Sequence, residues 1–304
     1  MKNKLGLIGS LFLVGLLLLA GCSDDTSADG GKIFEIGTQD YTDPKIVAQI
    51  VKELVEDRTN HEMNVTEDIQ ASPQIINALD QGEFDLATLY SGEVYNNHFD
   101  DVTFTTDPDE TLDQAKKFFG DEFDLKWYDS LGFNNQYSVA VPKEFAEEND
   151  IQTMTDLGAY ADQMTLGTDS AWKERENDGY RAYQEAYGYS FSDVRAIEIS
   201  LMYSGISNGE LDAITAYTVD PQVAEENLHV LEDDKAFFPP YDASLVGRND
   251  MIEEYPEIAE ILDELVDSIS TEEMTEMIRE VELDGKDSNE VAKDFLIEKG
   301  MLDK

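Results

Sequence analysis

The feature that most constrains the fold is a pair of similar segments far apart in the chain. Residues 77–90 read NALDQGEFDLATLY, and residues 204–217 read SGISNGELDAITAY. Each segment contains Gly-Glu, an apolar residue, an aspartate, a short apolar run and a tyrosine eight residues after the glycine. A separation of 127 residues is too long for a solenoid repeat. The similarity therefore predicts two lobes of related build.

The rest of the chain alternates short apolar runs with amphipathic stretches, which is typical of an α/β protein. Strands are predicted over residues 32–37, 137–142 and 164–167. Helix starts are predicted from N-cap and N1 signals, a capping box and a final serine cap, at Asp43-Pro44, Ser72-Pro73, Ser270 with Glu273, and Ser288.

A tyrosine ends the predicted strand of each similar segment, at Tyr90 and at Tyr217. The carboxyl ends of strands in open α/β sheets are where ligands bind. We therefore expect both rings to face a shared crevice. The alternative is that each ring covers a core while its hydroxyl points to water.

Composition excludes several classes of function. The 304 residues contain 21 Lys plus Arg against 67 Asp plus Glu, a net charge of −46. Such a surface repels phosphate backbones, so we expect no nucleic-acid partner. A hydrophobic content of 41% is enough for a globular core. Because Cys22 is the only cysteine, an intramolecular disulfide and a multi-thiolate metal site are both excluded.

The N-terminus carries a targeting signal. Lys2 and Lys4 precede an apolar run that ends in Leu-Ala-Gly-Cys at residue 22, and this resembles a bacterial lipoprotein signal. Residues 1–21 are expected to be removed, and residues 22–32 to form a lipidated cysteine and a polar tether. An uncleaved anchor with an incidental cysteine is the alternative.

Motifs for catalysis or metal binding are incomplete. Residues 205–209 match the G-x-S-x-G pattern, but that motif needs a strand before it and a helix after it, which is the reverse of the predicted order. Ser207 is therefore expected in a helix end and turn. The three histidines, His61, His98 and His229, lack ligand-spaced partners. We expect no enzyme activity, no metal and no cofactor.

Several motifs resemble those of the quaternary-ammonium-binding lipoproteins of osmoprotectant ABC importers, which bind glycine betaine, choline or carnitine. The resemblance covers nearly the whole chain after the signal. It rests on residues 37–39 (GTQ), 127–128 (WY), 132–137 (GFNNQY), 178–180 (DGY), 201–203 (LMY), 233–235 (DDK), 237–241 (FFPPY) and 285–287 (GKD).

The resemblance implies a two-lobed, hinged fold of the type II periplasmic-binding-protein class with the ligand between the lobes. It also implies a tyrosine cage for the cationic head, and the matching positions are Tyr90, Tyr137, Tyr217 and Tyr241. Aromatic faces suit a trimethylammonium group because that group has no hydrogen-bond donor. Tyr203 is a fifth candidate, but its position on an apolar helix favours core packing.

The positions that match the polar end of the site are Gln39, Glu93, Asn135 and Arg175. Arg175 is expected either to clamp a carboxylate or to form a surface ion pair. Glu93 replaces the small hydroxyl residue or aspartate expected there. A carboxylate at this position repels the carboxylate of betaine or carnitine and accepts a hydrogen bond from the hydroxyl of choline, so the sequence predicts a tilt toward choline.

Taken together, the sequence predicts a lipid-anchored, monomeric receptor on the outer face of the cytoplasmic membrane. It would deliver its ligand to a membrane permease powered by a cytoplasmic ATPase. Lobe 1 is expected over residues 33–134 and 235–304, and lobe 2 over residues 135–234. The alternatives are a binding protein for an amino acid or a polyamine, an anchored hydrolase and a surface adhesin.

Overall fold

The computed structural model describes residues 30–96, 98–99, 101–175 and 177–303. The signal peptide and Cys22 lie outside the described residues. The strands are β1 (Ile33–Gln39), β2 (Glu62–Ile69), β3 (Leu86–Tyr90), β4 (Leu125–Asn134), β5 (Tyr137–Pro142), β6 (Thr165–Thr168), β7 (Asp193–Ala196), β8 (Ala213–Tyr217), β9 (Leu228–Val230) and β10 (Asp242–Arg248).

The helices lie between and after these strands, and two short 3-10 segments join them. The α-helices are α1 (Thr42–Arg58), α2 (Ser72–Asp80), α3 (Pro108–Phe123), α4 (Lys143–Asn149), α5 (Met154–Leu157), α6 (Ser170–Glu174), α7 (Tyr180–Tyr187), α8 (Ile199–Ser207), α9 (Gln222–Glu225), α10 (Asn249–Glu254), α11 (Pro256–Glu264), α12 (Thr271–Glu282) and α13 (Ser288–Glu298). The 3-10 segments are Ser91–Tyr95 and Ala161–Gln163.

In the described part of the chain these strands form two five-stranded sheets, which confirms the predicted α/β class. The first has the order β2-β1-β3-β10-β4, and the second has the order β7-β6-β8-β5-β9. In each sheet one strand pairs parallel on one side and antiparallel on the other: β3 with β1 and β10, and β8 with β6 and β5. The two sheets are the cores of the two lobes.

The two similar segments fold in the same way, down to single hydrogen bonds. Glu83 and Phe84 donate their backbone N–H to the carbonyl of Ala78, and Glu210 and Leu211 donate theirs to the carbonyl of Gly205. The aspartate that follows accepts a backbone N–H from the neighbouring parallel strand in both lobes. Asp85 accepts from Glu35 at 2.9 Å, and Asp212 accepts from Thr165 at 2.8 Å.

Two predicted helix caps are shifted by one or two residues. α1 begins at Thr42 with Tyr41 at the N-cap, so Asp43 lies in the first turn and not at the cap. α13 is capped by Asp287, whose side chain accepts from the N–H of Asn289, and Ser288 is the first helical residue. The capping box of Ser270 and Glu273 is confirmed.

The two chain crossings between the sheets are hydrogen-bonded to each other. Strand β4 ends at Asn134 and β5 begins at Tyr137, and on the return Asn135 donates its N–H to the carbonyl of Tyr241 at 2.9 Å. The side chain of Gln136 donates to the carbonyl of Phe238 at 3.0 Å. These two hydrogen bonds hold the two crossings together. The exact lobe boundaries stay a prediction.

Among the described residues, no helix combines the length and the apolar character needed to cross a lipid bilayer.

Candidate functional site

A cleft of about 880 Å³ lies between the two lobes. First-lobe residues on its wall come from the start of α1 and the end of α12, and second-lobe residues come from the ends of β6 and β8. The wall therefore includes Tyr217, which ends β8, but not Tyr90, which ends β3, so a crevice shared by both rings stays a prediction.

Aromatic rings gather around Tyr137 at the first residue of β5. Its ring centroid lies 4.6 Å from that of Tyr217 and 6.3 Å from that of Tyr241. Phe238 stacks on the same ring at 6.2 Å with an interplanar angle of 22°. Tyr137 and Tyr217 are also paired directly across the β5–β8 ladder. Three of the four predicted cage tyrosines are thus brought together.

Tyr241 reaches this cluster because Gly92 leaves space for its ring. A Cβ at position 92 would lie 2.6 Å from the ring of Tyr241 and 2.9 Å from the carbonyl of Pro240. Ser91 adds two hydrogen bonds, donating to the carbonyl of Pro240 and accepting from the N–H of Asp242. The 3-10 segment after β3 therefore positions Tyr241, through the close packing at Gly92 and the hydrogen bonds of Ser91.

The guanidinium of Arg175 lies against this cluster. Its central carbon is 5.3 Å from the ring centroid of Tyr137 and 5.2 Å from that of Tyr241. It pairs with the buried carboxylate of Asp178 at 3.0 Å and donates to the hydroxyl of Tyr241. The side chain of Arg175 is only 19% exposed, so Arg175 does form an ion pair, but a largely buried one and not one at the surface.

Tyr90, the fourth predicted cage residue, is held by its hydroxyl. That hydroxyl donates to the carboxylate of Asp43 at 2.5 Å, and the side-chain amide of Asn135 donates to the same oxygen at 3.1 Å. Burial raises the pKa of Asp43 to about 6, against the opposing effect of these two donors. Asn135, a predicted polar contact, therefore lies beside Tyr90.

The other two predicted polar residues on the first lobe are joined through Ser72. The amide of Gln39 donates to the hydroxyl of Ser72 at 2.7 Å, and this hydroxyl donates to Glu93 at 2.5 Å. The second carboxylate oxygen of Glu93 accepts from Asn96. Gln39 and Glu93 are both 3% exposed, so the network is buried and fixed.

On the second lobe, Asp220 holds the strand end that carries Tyr217. Its carboxylate accepts the N–H of Tyr217 at 2.9 Å and the hydroxyl of Tyr203. Burial raises the pKa of Asp220 to about 7. The ring of Tyr203 packs in a core cluster, as predicted, and the residue also forms part of the cleft wall.

The sequence analysis missed Tyr41, Asp43, Ser72 and Asp220. The Asp43-Pro44 pair was interpreted as a helix cap, although its carboxylate is turned into the protein. Tyr41 lies on the cleft wall with its ring 6.2 Å from that of Tyr217. Its position two residues after the predicted contact Gln39 was a signal that could have suggested it.

The cleft is strongly acidic. The carboxylate-bearing residues on its wall are Asp40, Asp43, Asp169, Glu198, Asp220 and Glu282. The described part of that wall includes no lysine, arginine or histidine. A field of this sign attracts cations and opposes anions.

Ser207, in the G-x-S-x-G match, lies at a helix end, as predicted. Helix α8 ends at Ser207, and Gly209 takes a φ of +71° in the turn that follows. This is a helix end, and not the strand-to-helix elbow of a nucleophile.

Comparison with known proteins agrees with this geometry. Residues 34–298 match the model of the substrate binding domain of ABC-type glycine betaine transport systems. The chain belongs to this family. Its relatives are substrate-binding proteins of transport systems, and not enzymes.

Two relatives and one solved structure illustrate the similarity. The carnitine transport binding protein OpuCC of Listeria monocytogenes is 32% identical over 299 residues, covering 97% of each chain. The ergothioneine transport permease/ergothioneine binding protein EgtU of Helicobacter pylori is 36% identical over 224 residues, which is 74% of this chain and 40% of that protein. A crystal structure of a glycine betaine/carnitine/choline ABC transporter superposes with a TM-score of 0.77 at 30% identity, covering 88% of this chain and 98% of that one.

Proposed function

We propose that this protein captures a quaternary ammonium solute in a tyrosine cage between its lobes and delivers it to an ABC permease. The cage would consist of Tyr90, Tyr137, Tyr217 and Tyr241. Gln39, Glu93, Asn135 and Arg175 would bound its polar end. Approach of the lobes on ligand binding would create the surface that the permease recognises.

The observation that carries the proposal is the cluster around Tyr137. Its ring and that of Tyr241 already lie at cation–π distance from a guanidinium, at 5.3 and 5.2 Å. Each aromatic face contributes roughly 0.5 to 2 kcal/mol to the binding of a cation. A tightly hydrated sodium ion gains too little from such faces to lose its water, so the cage selects for methylated nitrogen.

The charge on the cleft wall favours choline over a carboxylate-bearing solute. Six carboxylate residues lie on that wall. Arg175, the expected partner for a ligand carboxylate, is already paired with Asp178 and bonded to Tyr241. A betaine or carnitine carboxylate would therefore meet repulsion and would have to compete with Asp178 and Tyr241 for Arg175.

Titration of the purified mature chain tests both the quaternary-ammonium function and the preference for choline. We expect calorimetry to show tighter binding of choline than of glycine betaine or carnitine, and Tyr217→Ala to weaken the binding of all three. Glycine betaine binding more than tenfold tighter than choline would refute the tilt. Absence of binding to all three solutes would refute the quaternary-ammonium function.

Arg175→Ala separates the two ligand classes further. If the guanidinium clamps a carboxylate, this variant weakens glycine betaine binding and leaves choline binding nearly unchanged. If it serves only to hold Asp178 and Tyr241, as the tilt requires, both ligands are affected alike.

A polyamine is the second candidate ligand, favoured by the acidic wall. Carboxylates are the natural partners of primary ammonium groups, which donate hydrogen bonds that aromatic faces do not accept well. Spermidine therefore belongs in the same titration. Binding of spermidine that is tighter than that of choline and insensitive to Tyr217→Ala would favour this alternative.

We also propose that Cys22 is lipidated after removal of residues 1–21 and that residues 22–32 tether the lobes to the outer face of the cytoplasmic membrane. Several acyl chains on one cysteine would anchor the protein stably. Cys22→Ser should then move the protein from the membrane fraction to the soluble fraction and abolish incorporation of labelled palmitate.

A further inference from the structure

We infer that Tyr41 is an additional wall of the ligand site, contributed by the first lobe. This inference rests on the proposed quaternary-ammonium function. Tyr41 lies between β1 and α1 of the first sheet, and Tyr217 ends β8 of the second sheet. Their ring centroids are 6.2 Å apart with an interplanar angle of 62°. The pair is therefore an aromatic contact across the cleft.

The local fold does not explain a tyrosine at this position. Tyr41 occupies the N-cap of α1, but its side chain makes no capping hydrogen bond there, and tyrosine is not a favoured capping residue. Its ring is partly exposed on the cleft wall. Within the described residues it belongs to none of the buried apolar clusters.

The surroundings of Tyr41 suit a cation. Tyr217 and Asp169 lie beside it on the cleft wall. Its pKa is raised to about 12, mainly by burial and then by Asp169, against the opposing effects of a hydrogen bond with Tyr217 and of Arg175. The phenol is therefore neutral at physiological pH and presents an uncharged π face.

This placement couples binding to closure. Tyr137 and Tyr217 come from the same lobe and are already paired, whereas Tyr41 comes from the other lobe. In this structure the two rings already lie 6.2 Å apart, so the lobes are close together here, and only a more open form would move Tyr41 away from a trimethylammonium group seated against Tyr217. The contact with Tyr41 therefore adds affinity in the closed form and stabilises that form selectively.

The test compares Tyr41→Leu, which removes the π face, with Tyr41→Phe, which keeps it. Tyr160 offers a matched control, because it also occupies an N-cap position, that of the 3-10 segment Ala161–Gln163, and packs edge-on against the ring of Phe145 at 5.5 Å. The probes are choline and its uncharged isostere 3,3-dimethyl-1-butanol, titrated against the purified mature chain.

We expect Tyr41→Leu to weaken choline binding at least fivefold and to change binding of the neutral alcohol less than twofold. Tyr41→Phe should stay within twofold of the wild type for both probes, and Tyr160→Leu should bind choline normally. A merely structural role would lower the affinity for both probes equally, together with the melting temperature.

Either an equal loss for the two probes or a choline affinity within twofold of the wild type in Tyr41→Leu would overturn the inference. The proposed function fails separately, when the wild-type chain does not bind choline or Tyr217→Ala does not weaken it. Wild-type binding that depends on Tyr217 but not on Tyr41 therefore removes this inference alone.

Discussion

Tyr90 and Tyr217 end equivalent strands of the two lobes, but the lobes hold them in different ways. The hydroxyl of Tyr90 donates to the buried carboxylate of Asp43 at 2.5 Å. The hydroxyl of Tyr217 reaches Asp169 only at 3.4 Å, whereas its ring packs on that of Tyr137 at 4.6 Å. One tyrosine is fixed by a polar contact and the other by an aromatic contact.

The difference shows that the repeat fixes where each tyrosine lies, while residues outside the repeat decide how it is used. Asp43 comes from the first turn of α1, and Tyr137 comes from the first residue of β5. Each tyrosine is therefore held by a residue of its own lobe, Tyr90 by a carboxylate and Tyr217 by an aromatic ring.

The largest expected effect compares the two tyrosines in ligand binding. Tyr217→Ala should weaken choline binding about 30-fold, because it removes one cation–π face worth about 2 kcal/mol and the neighbour that supports Tyr137. Tyr90→Ala should weaken it about fivefold. Calorimetry on both variants, with circular dichroism to check folding, measures the difference. An equal or larger loss for Tyr90→Ala would contradict the comparison.

Removal of the hydroxyl groups of Tyr90 and Tyr217 should affect stability in the opposite order, with the larger loss at Tyr90. Tyr90→Phe leaves the buried carboxylate of Asp43 with one donor fewer, so the free energy of unfolding at pH 7 should fall by about 2 kcal/mol. Tyr217→Phe loses a long contact with Asp169 and the hydroxyl contacts with Tyr41 and Tyr137, none of which involves a fully buried carboxylate, and should cost only about 0.5 kcal/mol. Urea denaturation measures both, and equal costs would show that the Asp43 contact has no special weight.

The carboxylates that serve the two tyrosines predict a pH dependence. The pKa of Asp43 is about 6 in the folded protein and 3.8 ordinarily. The folded state therefore retains a proton that the unfolded state releases between these values. Stability falls as the pH rises through this window and is not reduced further above it.

Asp43→Asn should remove this slope and raise stability at pH 7 by on the order of 2 kcal/mol, because an amide oxygen still accepts both hydrogen bonds. For Asp220, with a pKa of about 7, the window extends higher. Asp220→Asn should also raise stability at pH 7, and it should remove the part of the slope that extends to the higher pH. Urea denaturation between pH 4 and pH 8 distinguishes the two, and unchanged slopes in both variants would count against buried charge at these positions.

The smallest expected effect concerns the aspartates of the repeat. Asp85→Ala should cost about 1.5 kcal/mol, since Asp85 is 7% exposed and holds the N–H of Glu35. Asp212 is exposed, so Asp212→Ala should cost about 0.5 kcal/mol. Asparagine variants keep the acceptor and provide the matched controls. A larger cost on the second lobe would break the expected order.

Local signals in the sequence were sufficient for much of the fold. The strand of residues 137–142 has the predicted bounds, and the capping box at Ser270 is present. The two similar segments fold alike because the hydrogen bonds that shape them are either within the segment or made to one neighbouring strand. A local sequence pattern was therefore enough to predict two similar lobes. The helix starts at Asp43 and Ser288 were misplaced because several adjacent residues are acceptable near a cap.

The polar part of the site could not be predicted in the same way. Whether the carboxylate of Asp43 faces water or Tyr90 depends on how α1 packs against its sheet. The spacing of residues along the sequence does not determine this packing. Asp178, one partner of Arg175, lies three residues away, but its other partner, Tyr241, lies 66 residues away and is brought to it by long-range packing. The cage roles of the tyrosines remain predictions for the titrations to decide.

Because Gly92 has no side chain, it leaves room for the ring of Tyr241, a residue of the proposed cage. The ring of Tyr241 lies where a Cβ of residue 92 would be, at 2.6 Å. Any larger residue there would push the ring toward Tyr137 and narrow the space between the phenol groups. In the proposed cage, the size of residue 92 therefore limits the width of the solute that fits beside Tyr241, with no change of any aromatic residue.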